Sequence, residues 1–203
     1  MNSKIYNIFK RIFDILFSLF LLILLSPLFI IISFLVKINS RGPIFYRWKV
    51  VGIHEKFFES YKFRTMVINA DEIKLELLDQ NEMNGPFFKM TNDPRITSLG
   101  KFLRKFSLDE LPQIISVIKG DMSLVGPRPP LQEEFKFFSD FEKKKLAVKP
   151  GMTCLWQVEG RNNISDSNEW IKKDLEYIEK KSFLLDLTII LKTIYVVFRG
   201  TGK

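Results

Sequence analysis

The chain has 203 residues, and its 31 Lys and Arg against 23 Asp and Glu give a formal net charge of +8. This length allows one domain with its own core plus one further element, and the positive charge favours an anionic partner such as nucleic acid, acidic lipid or a phosphorylated substrate. With Cys154 and His54 as the only cysteine and histidine, intramolecular disulfides, thiolate metal sites and paired-histidine zinc motifs are excluded, which leaves oxygen nucleophiles, carboxylates, lysine and arginine.

An uncharged apolar run extends from Ile15 to Val36. As a helix it would measure about 33 Å, against a hydrocarbon core of about 30 Å. Ser26 and Pro27 lie in its middle, where a proline removes a backbone hydrogen bond and kinks the helix. Both flanks are basic, which favours the cytoplasm for both ends. A helix-break-helix hairpin that enters one leaflet and a plain span therefore both stay open, while a signal peptide is disfavoured because no small-residue cleavage site follows.

The rest of the chain predicts a basic α/β domain that is mostly helical with a small sheet. Two short strands are expected at 43–50 and 56–63, joined by a turn at 52–55. Helical spacing is found at 67–78, 96–105, 111–119, 132–143 and 169–180. Residues 81–92 are typical of a loop. Residues 183–198 are apolar but interrupted by charges, which indicates an amphipathic helix on the domain or at the membrane interface rather than a second span.

Residues 100–113 hold the densest group of candidate functional side chains. Ser107 and Glu110 fit a capping box, which would simply begin a helix. The same geometry is also compatible with a catalytic site. A helix N-terminus binds phosphate, and Asp109 and Glu110 would both lie at this N-terminus. Arg104, just upstream, can meet phosphate oxygens. A carboxylate that attacks phosphorus forms an acyl phosphate, and a diphosphate substrate would need a divalent metal, most naturally Mg²⁺.

Two arginines offer further phosphate ligands. Arg128 lies between two prolines within 120–130, which restricts its backbone and suits the bidentate grip of a guanidinium on phosphate. A rigid surface turn explains the same residues equally well. Arg161 is in a turn at the end of 149–163, where it is either a ligand or an ordinary turn residue. The middle of that segment is typical of a buried strand, with Cys154 in the core.

Two groups of side chains favour structural interpretations. Trp170, Asp174 and Tyr177 share one face of a predicted helix, and such a stripe usually packs into a core, although an acid on it is unusual. The three lysines at 143–145 indicate a solvated helix end or a contact with anionic lipid.

In their order and density, the motifs resemble the bacterial sugar transferases, the monotopic polyprenyl-phosphate phosphoglycosyl transferases. The resemblance covers nearly the whole chain, from residue 10 to residue 202, and is specific although each motif alone is weak. The motifs are YKFRTM (61–66), DPRIT (93–97), SLDELPQ (107–113), KGDMSLVGPRPP (119–130) and VEGRN (158–162).

The resemblance implies that Asp109 is the nucleophile, that Glu110 is its partner acid, and that Asp109 also takes part in binding Mg²⁺. It implies substrate-binding roles for Lys62, Arg104, Arg128, Arg161 and Asp174. The family mechanism is ping-pong: UMP leaves as a phosphosugar-aspartate forms, and undecaprenyl phosphate then takes the phosphosugar. The sequence at 87–95 and 154–161 looks more like the branch that acts on UDP-glucose or UDP-galactose than like the acetamido-sugar branch.

The resemblance also implies a location and a set of partners. Ser26 and Pro27 would break a re-entrant helix within 1–37, and 38–203 would form a catalytic domain with amphipathic interfacial helices. That domain would face the cytoplasm at the bacterial inner membrane. The implied partners are a UDP-sugar, undecaprenyl phosphate and inner-membrane lipid, without nucleic acid, and a homodimer stays open.

Two positions depart from the family pattern. Glu55 follows His54 where the turn between the first strands often has a second glycine, and Trp48 stands where a smaller polar residue is common. These departures concern the shape of the hairpin and leave the predicted Asp-Glu chemistry unchanged.

Two other functions compete with this hypothesis. A membrane-anchored basic module that binds anionic lipid or nucleic acid without catalysis explains the charge and the anchor. It does not explain why acids stand among the basic residues at 104–110, which weakens simple binding to a phosphate backbone. A transferase with several membrane spans would need more than the single clear apolar segment.

Overall fold

The computed structural model of the chain describes residues 3–82, 88, 90–160 and 166–202. Helices dominate these residues, as predicted. The α-helices are α1 (Ser3–Leu24), α2 (Ser26–Asn39), α3 (Ala70–Glu76), α4 (Ser98–Lys105), α5 (Ile114–Lys119), α6 (Gln132–Phe135), α7 (Asp140–Lys143), α8 (Leu155–Gly160), α9 (Ser167–Lys180) and α10 (Phe183–Arg199). The strands of the described part are β1 (Phe45–Val51), β2 (Phe57–Phe63), β3 (Ser123–Val125) and β4 (Gly151–Thr153). β1 pairs antiparallel with β2 as predicted, whereas the short parallel pair of β3 and β4 was not expected as a sheet.

The apolar N-terminal segment forms two helices joined at a sharp break. α1 ends at Leu24 and α2 begins at Ser26, with Pro27 in its first turn, where a proline costs no intrahelical hydrogen bond. The hydroxyl of Ser26 donates to the carbonyl oxygen of Ile23 (2.8 Å), and the two helices are bent by 62°. In the described part of the chain no helix taken singly is long and apolar enough to cross a membrane, whereas this bent pair has the combined length and composition.

α1 is attached to the rest of the fold through polar side chains. The carboxylate of Asp186 in α10, which is buried, accepts hydrogen bonds from Tyr6 (2.8 Å), Lys10 (2.7 Å) and Tyr177 (2.7 Å). The guanidinium of Arg11 donates to two carbonyl oxygens near the end of α5, at 2.6 and 2.8 Å. An acid of α10 that is shared by two donors of α1 and one donor of α9 fixes α1 on the domain with little freedom to rotate.

α10 confirms the predicted amphipathic helix at 183–198. Asp186 and Ile189 are buried against the domain, while the opposite face exposes large apolar side chains. The most exposed of these are Leu184 and Phe198, at 74% and 81% of their surface. A helix with one face buried on the domain and an apolar face exposed is suited to lie at a membrane interface while it packs on the domain.

Several predicted elements differ in the structure, and the helix expected at 67–78 is limited to α3 and a following 3₁₀ turn at Leu78–Gln80. The helix expected at 132–143 is divided into α6 and α7, because Ser139 caps α7 in a capping box with Glu142 and so starts a new helix. The buried strand expected within 149–163 is confined to β4, and α8 follows it directly. Cys154 is buried in the core, as predicted, and burial raises the pKa of its thiol well above the usual range.

The turn between β1 and β2 holds two non-glycine residues in left-handed conformations, His54 with φ 55° and Glu55 with φ 61°. This conformation costs roughly 1–2 kcal/mol for a residue with a side chain, while glycine adopts it freely. Because glycine also loses more entropy on folding, we expect Glu55→Gly to raise the free energy of unfolding by up to about 1 kcal/mol. Denaturant unfolding of the purified protein measures this free energy. A lower stability than wild type would contradict the assigned turn conformation.

Candidate active site

The Asp109–Glu110 pair is carried by a six-residue 3₁₀ helix, Leu108–Gln113. With three residues per turn, Leu108 and Leu111 lie on the same face, and both pack into an apolar cluster formed by α2, β2 and α4. The acids between them point away from this cluster, and each keeps 7% of its surface exposed. The sequence Leu-Asp-Glu-Leu thus fixes two neighbouring carboxylates on the side of the 3₁₀ helix that faces away from this cluster.

The expected capping box is wrong. Ser107 adopts a left-handed conformation (φ 53°), and its side chain makes no capping hydrogen bond at the start of this helix. Instead, the backbone N–H of Glu110 donates to the carbonyl oxygen of Ser107 at 3.2 Å. The α-helix expected at 111–119 begins only at Ile114, so the acids do not lie at an α-helix N-terminus. Positive charge at this site therefore comes from side chains.

Lys62 and Arg128 both approach the same oxygen of Glu110. The distance from Nζ of Lys62 to Oε1 of Glu110 is 2.7 Å, and Nη1 of Arg128 lies 3.7 Å from that oxygen. Burial lowers the pKa of Lys62, Glu110 opposes this shift, and the positive charge of Arg128 adds to it. The predicted residues Lys62, Glu110 and Arg128 are thus brought together by β2, the 3₁₀ helix and the loop after β3.

Arg104 approaches the pair from the last turn of α4. Its Nε donates to Oγ1 of Thr65 at 2.9 Å, and burial lowers the pKa of its guanidinium, an effect partly offset by Asp109 and Asp93. α4 lies close to this backbone, because a Cβ on Gly100 would be 2.1 Å from the carbonyl oxygen of Thr65. Glycine at this position therefore lets α4 bring Arg104 to the Asp109 side of the site.

Asp174 lies behind the site, where it supports the backbone of Arg128, and its substrate-binding role stays a prediction. It is fully buried in α9, where Oδ1 accepts from the backbone N–H of Arg128 (3.4 Å) and Oδ2 pairs with Nζ of Lys145 (2.5 Å). Burial raises the pKa of Asp174, and Lys145 opposes the shift. The lysine run at 143–145 is therefore not solvated throughout, since Lys145 is buried behind the Arg128 loop. Arg161 lies outside the described residues.

Sequence reasoning assigned no role to Trp48. Its ring is buried in β1, with its centroid 4.3 Å from Nζ of Lys62 and 5.9 Å from Cζ of Arg128. In the observed register Trp48 pairs with Ser60, which places Trp48 diagonally across the hairpin from Lys62. The predicted hairpin contained both residues, so a correct register would have shown that they are neighbours.

The donor set at this site fits Mg²⁺ shared with a phosphorylated ligand. Among the residues that the structure describes, no three His, Cys, Asp or Glu side chains form a metal cage. Mg²⁺, however, is usually held by only one or two carboxylates and completes its shell with water and phosphate oxygens. Asp109 and Glu110 are adjacent in sequence and provide such carboxylates, so a metal role for Asp109 stays a prediction that the donor chemistry supports.

Comparison with known proteins shows that the chain is similar to bacterial sugar transferases. The sequence profile of the family described as bacterial sugar transferase matches residues 5–200. The chain is 49% identical over 164 residues to the galactosyl transferase CpsE of Streptococcus agalactiae serotype III, which covers 81% of this chain. It is 45% identical over 201 residues to the undecaprenyl-phosphate galactose phosphotransferase of Salmonella typhimurium, covering 95% of this chain. The exopolysaccharide production protein ExoY of Sinorhizobium fredii is 41% identical over 201 residues, or 97% of this chain.

The relatives differ in length. The matched segment makes up 36% of the Streptococcus protein and 41% of the Salmonella protein, but 88% of ExoY. The chain thus spans less than half of the two larger relatives and nearly all of the smaller one.

Proposed function

This chain belongs to the bacterial sugar transferase family, and we propose that it transfers a sugar phosphate from a UDP-sugar to undecaprenyl phosphate and releases UMP. The observation that carries the proposal is the nearly buried Asp109–Glu110 pair with cationic side chains around it. Those side chains are Lys62, Arg104 and Arg128. Two carboxylates beside three cations suit a reaction in which an acid must meet a diphosphate.

In the proposed first step a carboxylate oxygen of Asp109 attacks the sugar-bearing phosphorus of the UDP-sugar. The new Asp–phosphorus bond forms as the bond between that phosphorus and the bridging oxygen breaks, and UMP leaves with the bonding electrons. In the second step an oxygen of undecaprenyl phosphate attacks the same phosphorus and frees the Asp109 carboxylate. The product is a sugar joined to the lipid through a diphosphate.

The remaining side chains have roles that follow from their charge and position. Arg104, near Asp109, and Arg128, near Glu110, are placed to meet the oxygens of a diphosphate. Glu110 holds Lys62 in place (2.7 Å) and so keeps an ammonium group beside the reacting phosphorus. Mg²⁺, when bound, would neutralise part of the diphosphate charge.

Galactose or glucose is the proposed sugar. Two of the relatives compared above are named for the transfer of galactose, which agrees with the resemblance of 87–95 and 154–161 to the UDP-glucose and UDP-galactose branch. The name of ExoY supports a place for the reaction in exopolysaccharide production.

Release of UMP is the decisive measurement. The detergent-purified protein is incubated with Mg²⁺, undecaprenyl phosphate and either UDP-galactose, UDP-glucose or UDP-N-acetylglucosamine. We expect UMP and a diphosphate-linked lipid sugar, with the first two donors preferred and no product when EDTA is added. A non-catalytic basic module would bind anionic vesicles and release no UMP from any donor, an outcome that would overturn the proposal.

We further propose that the α1–α2 pair anchors the protein in the cytoplasmic membrane, with both ends and the catalytic domain on the cytoplasmic side. Apolar side chains exposed along both helices support this. They include Ile8, Phe9, Leu16, Ile23, Ile30, Phe34 and Ile38, each more than half exposed. The bend of 62° at Ser26 and Pro27, together with the basic flanks, supports a re-entrant path rather than a span.

Topology can be tested with single cysteines at the two ends of the pair. In a Cys154→Ala background, Lys4→Cys and Ser40→Cys should both react only with reagents that reach the cytoplasm. Adding Pro27→Ala restores the possibility of a straight helix, so part of the Lys4→Cys population should then react from the periplasm. Periplasmic labelling of Lys4→Cys while Pro27 is present would instead establish a span.

A further inference from the structure

Trp48 lies beneath two like-charged groups of the candidate site. Nζ of Lys62 is 4.3 Å and Cζ of Arg128 is 5.9 Å from the centroid of its ring, and both distances are within the range of a cation–π interaction. The same two cations lie 2.7 and 3.7 Å from Oε1 of Glu110. One aromatic ring and one carboxylate oxygen therefore hold the same pair of positive side chains.

Two like charges this close need stabilisation, and nearby acids supply part of it. Asp109 also acts on Lys62. Glu134 and Asp174 act on Arg128. Lys62 and Arg128 repel each other, and the site is partly removed from water, where repulsion is stronger. The negative face of an indole attracts cations without adding a formal charge, so it offsets repulsion and leaves the net positive field intact.

The position of Trp48 indicates that its ring face, and not its N–H, carries this role. The side chain is 6% exposed, and Nε1 is sealed from solvent without a hydrogen-bond partner among the described residues. A buried N–H that bonds to nothing is a cost to the fold. Packing alone could be supplied by an aliphatic residue that has no such cost.

We propose that Trp48 is a positioning residue of the transferase, whose indole face holds Lys62 and Arg128 side by side at Glu110, ready to receive the substrate diphosphate. This inference rests on the proposed function. Trp48, which is not one of the reacting groups, keeps two phosphate-binding cations at Glu110.

The test separates the aromatic face from packing and from the N–H group. Trp48→Phe keeps an aromatic face and removes the unpaired N–H, and its kcat/KM for UMP release should stay within a few-fold of wild type. Trp48→Leu removes the face, and we expect a roughly ten-fold lower kcat/KM, equivalent to about 1.4 kcal/mol. The loss should be seen mainly in KM for the UDP-sugar, because cations meet the diphosphate when it binds.

Fluorinated tryptophans provide a second test, because fluorine changes the charge distribution of the ring with little change of its shape. This test applies even if Trp48→Leu does not fold. In wild type, kcat/KM should fall progressively as fluorine atoms are added. In Trp48→Phe, where only the other tryptophans are labelled, it should not change. Equal activity of Trp48→Leu and wild type, equal loss in Trp48→Phe and Trp48→Leu, or indifference of wild type to fluorination would each overturn the inference. An inactive wild-type enzyme would instead reject the proposed function itself.

Discussion

Asp109→Asn should reduce the turnover of the proposed reaction by roughly 10³-fold or more while the protein still folds. The amide has nearly the size of the carboxylate, and Leu108 and Leu111 hold the segment in the apolar cluster, so we expect the fold to be kept. What is lost is the charged oxygen that forms the bond to phosphorus. Wild type given UDP-sugar and Mg²⁺ without undecaprenyl phosphate should release at most one equivalent of UMP.

Mass spectrometry of that reaction should find the phosphosugar on the peptide that contains Asp109. Asp109→Asn should show neither the UMP burst nor the modified peptide, although it should still bind the UDP-sugar. A burst of normal size in this variant would reduce the role of Asp109 to metal binding or structure, and the mechanism would become a direct transfer between donor and acceptor.

Glu110→Gln is expected to lower kcat by roughly 10²- to 10⁴-fold, the range of a lost acid–base or electrostatic partner. The change removes the ion pair of 2.7 Å that holds Lys62 and leaves the lysine beside Arg128. The pKa of Lys62, already lowered by burial, should fall further, so that part of its positive charge is lost near neutral pH.

Glu59→Gln is the matched control for this variant. Glu59 is an exposed acid on β2, the strand that also carries Lys62, and its replacement should leave kcat unchanged. The slow reaction that remains in Glu110→Gln should still label Asp109. Labelling at another residue, or wild-type turnover in Glu110→Gln, would contradict the assignment of two distinct roles to the adjacent acids.

Local signals in the sequence predicted much of the fold correctly. Pro27 within an apolar run predicts a break at that position in any setting, because the chemistry of proline is intrinsic to the chain. The β1–β2 hairpin follows likewise from two runs of apolar and aromatic residues with a short turn between them. The placement of Lys62, Arg104 and Arg128 around the acids came from the family resemblance. In the structure Lys62 and Arg128 lie at Glu110. Burial lowers the pKa of Arg104, and the charge of Asp109 opposes this shift.

Long-range contacts account for what could not be predicted. The pairing of β3 with β4 joins three-residue strands that are too short to carry a periodic signal. The stripe of Trp170, Asp174 and Tyr177 predicted core packing, but the partner of Asp174 could not be predicted, because Lys145 is distant in sequence and was itself expected in solvent or on anionic lipid. The misassigned capping box has a similar cause, because the tertiary packing of Leu108 and Leu111 selects a 3₁₀ helix over the local preference.

The attachment of α1 through Asp186 bears on how the protein can be produced and handled. The boundary that the sequence suggests, after residue 37, would be a natural place to cut for a water-soluble version. Such a cut would take Tyr6 and Lys10 away from an acid that stays buried, and would remove Phe13 and Phe17 from the main core. α1 is thus a part of the scaffold, and the protein is best produced and purified with its first helix in place.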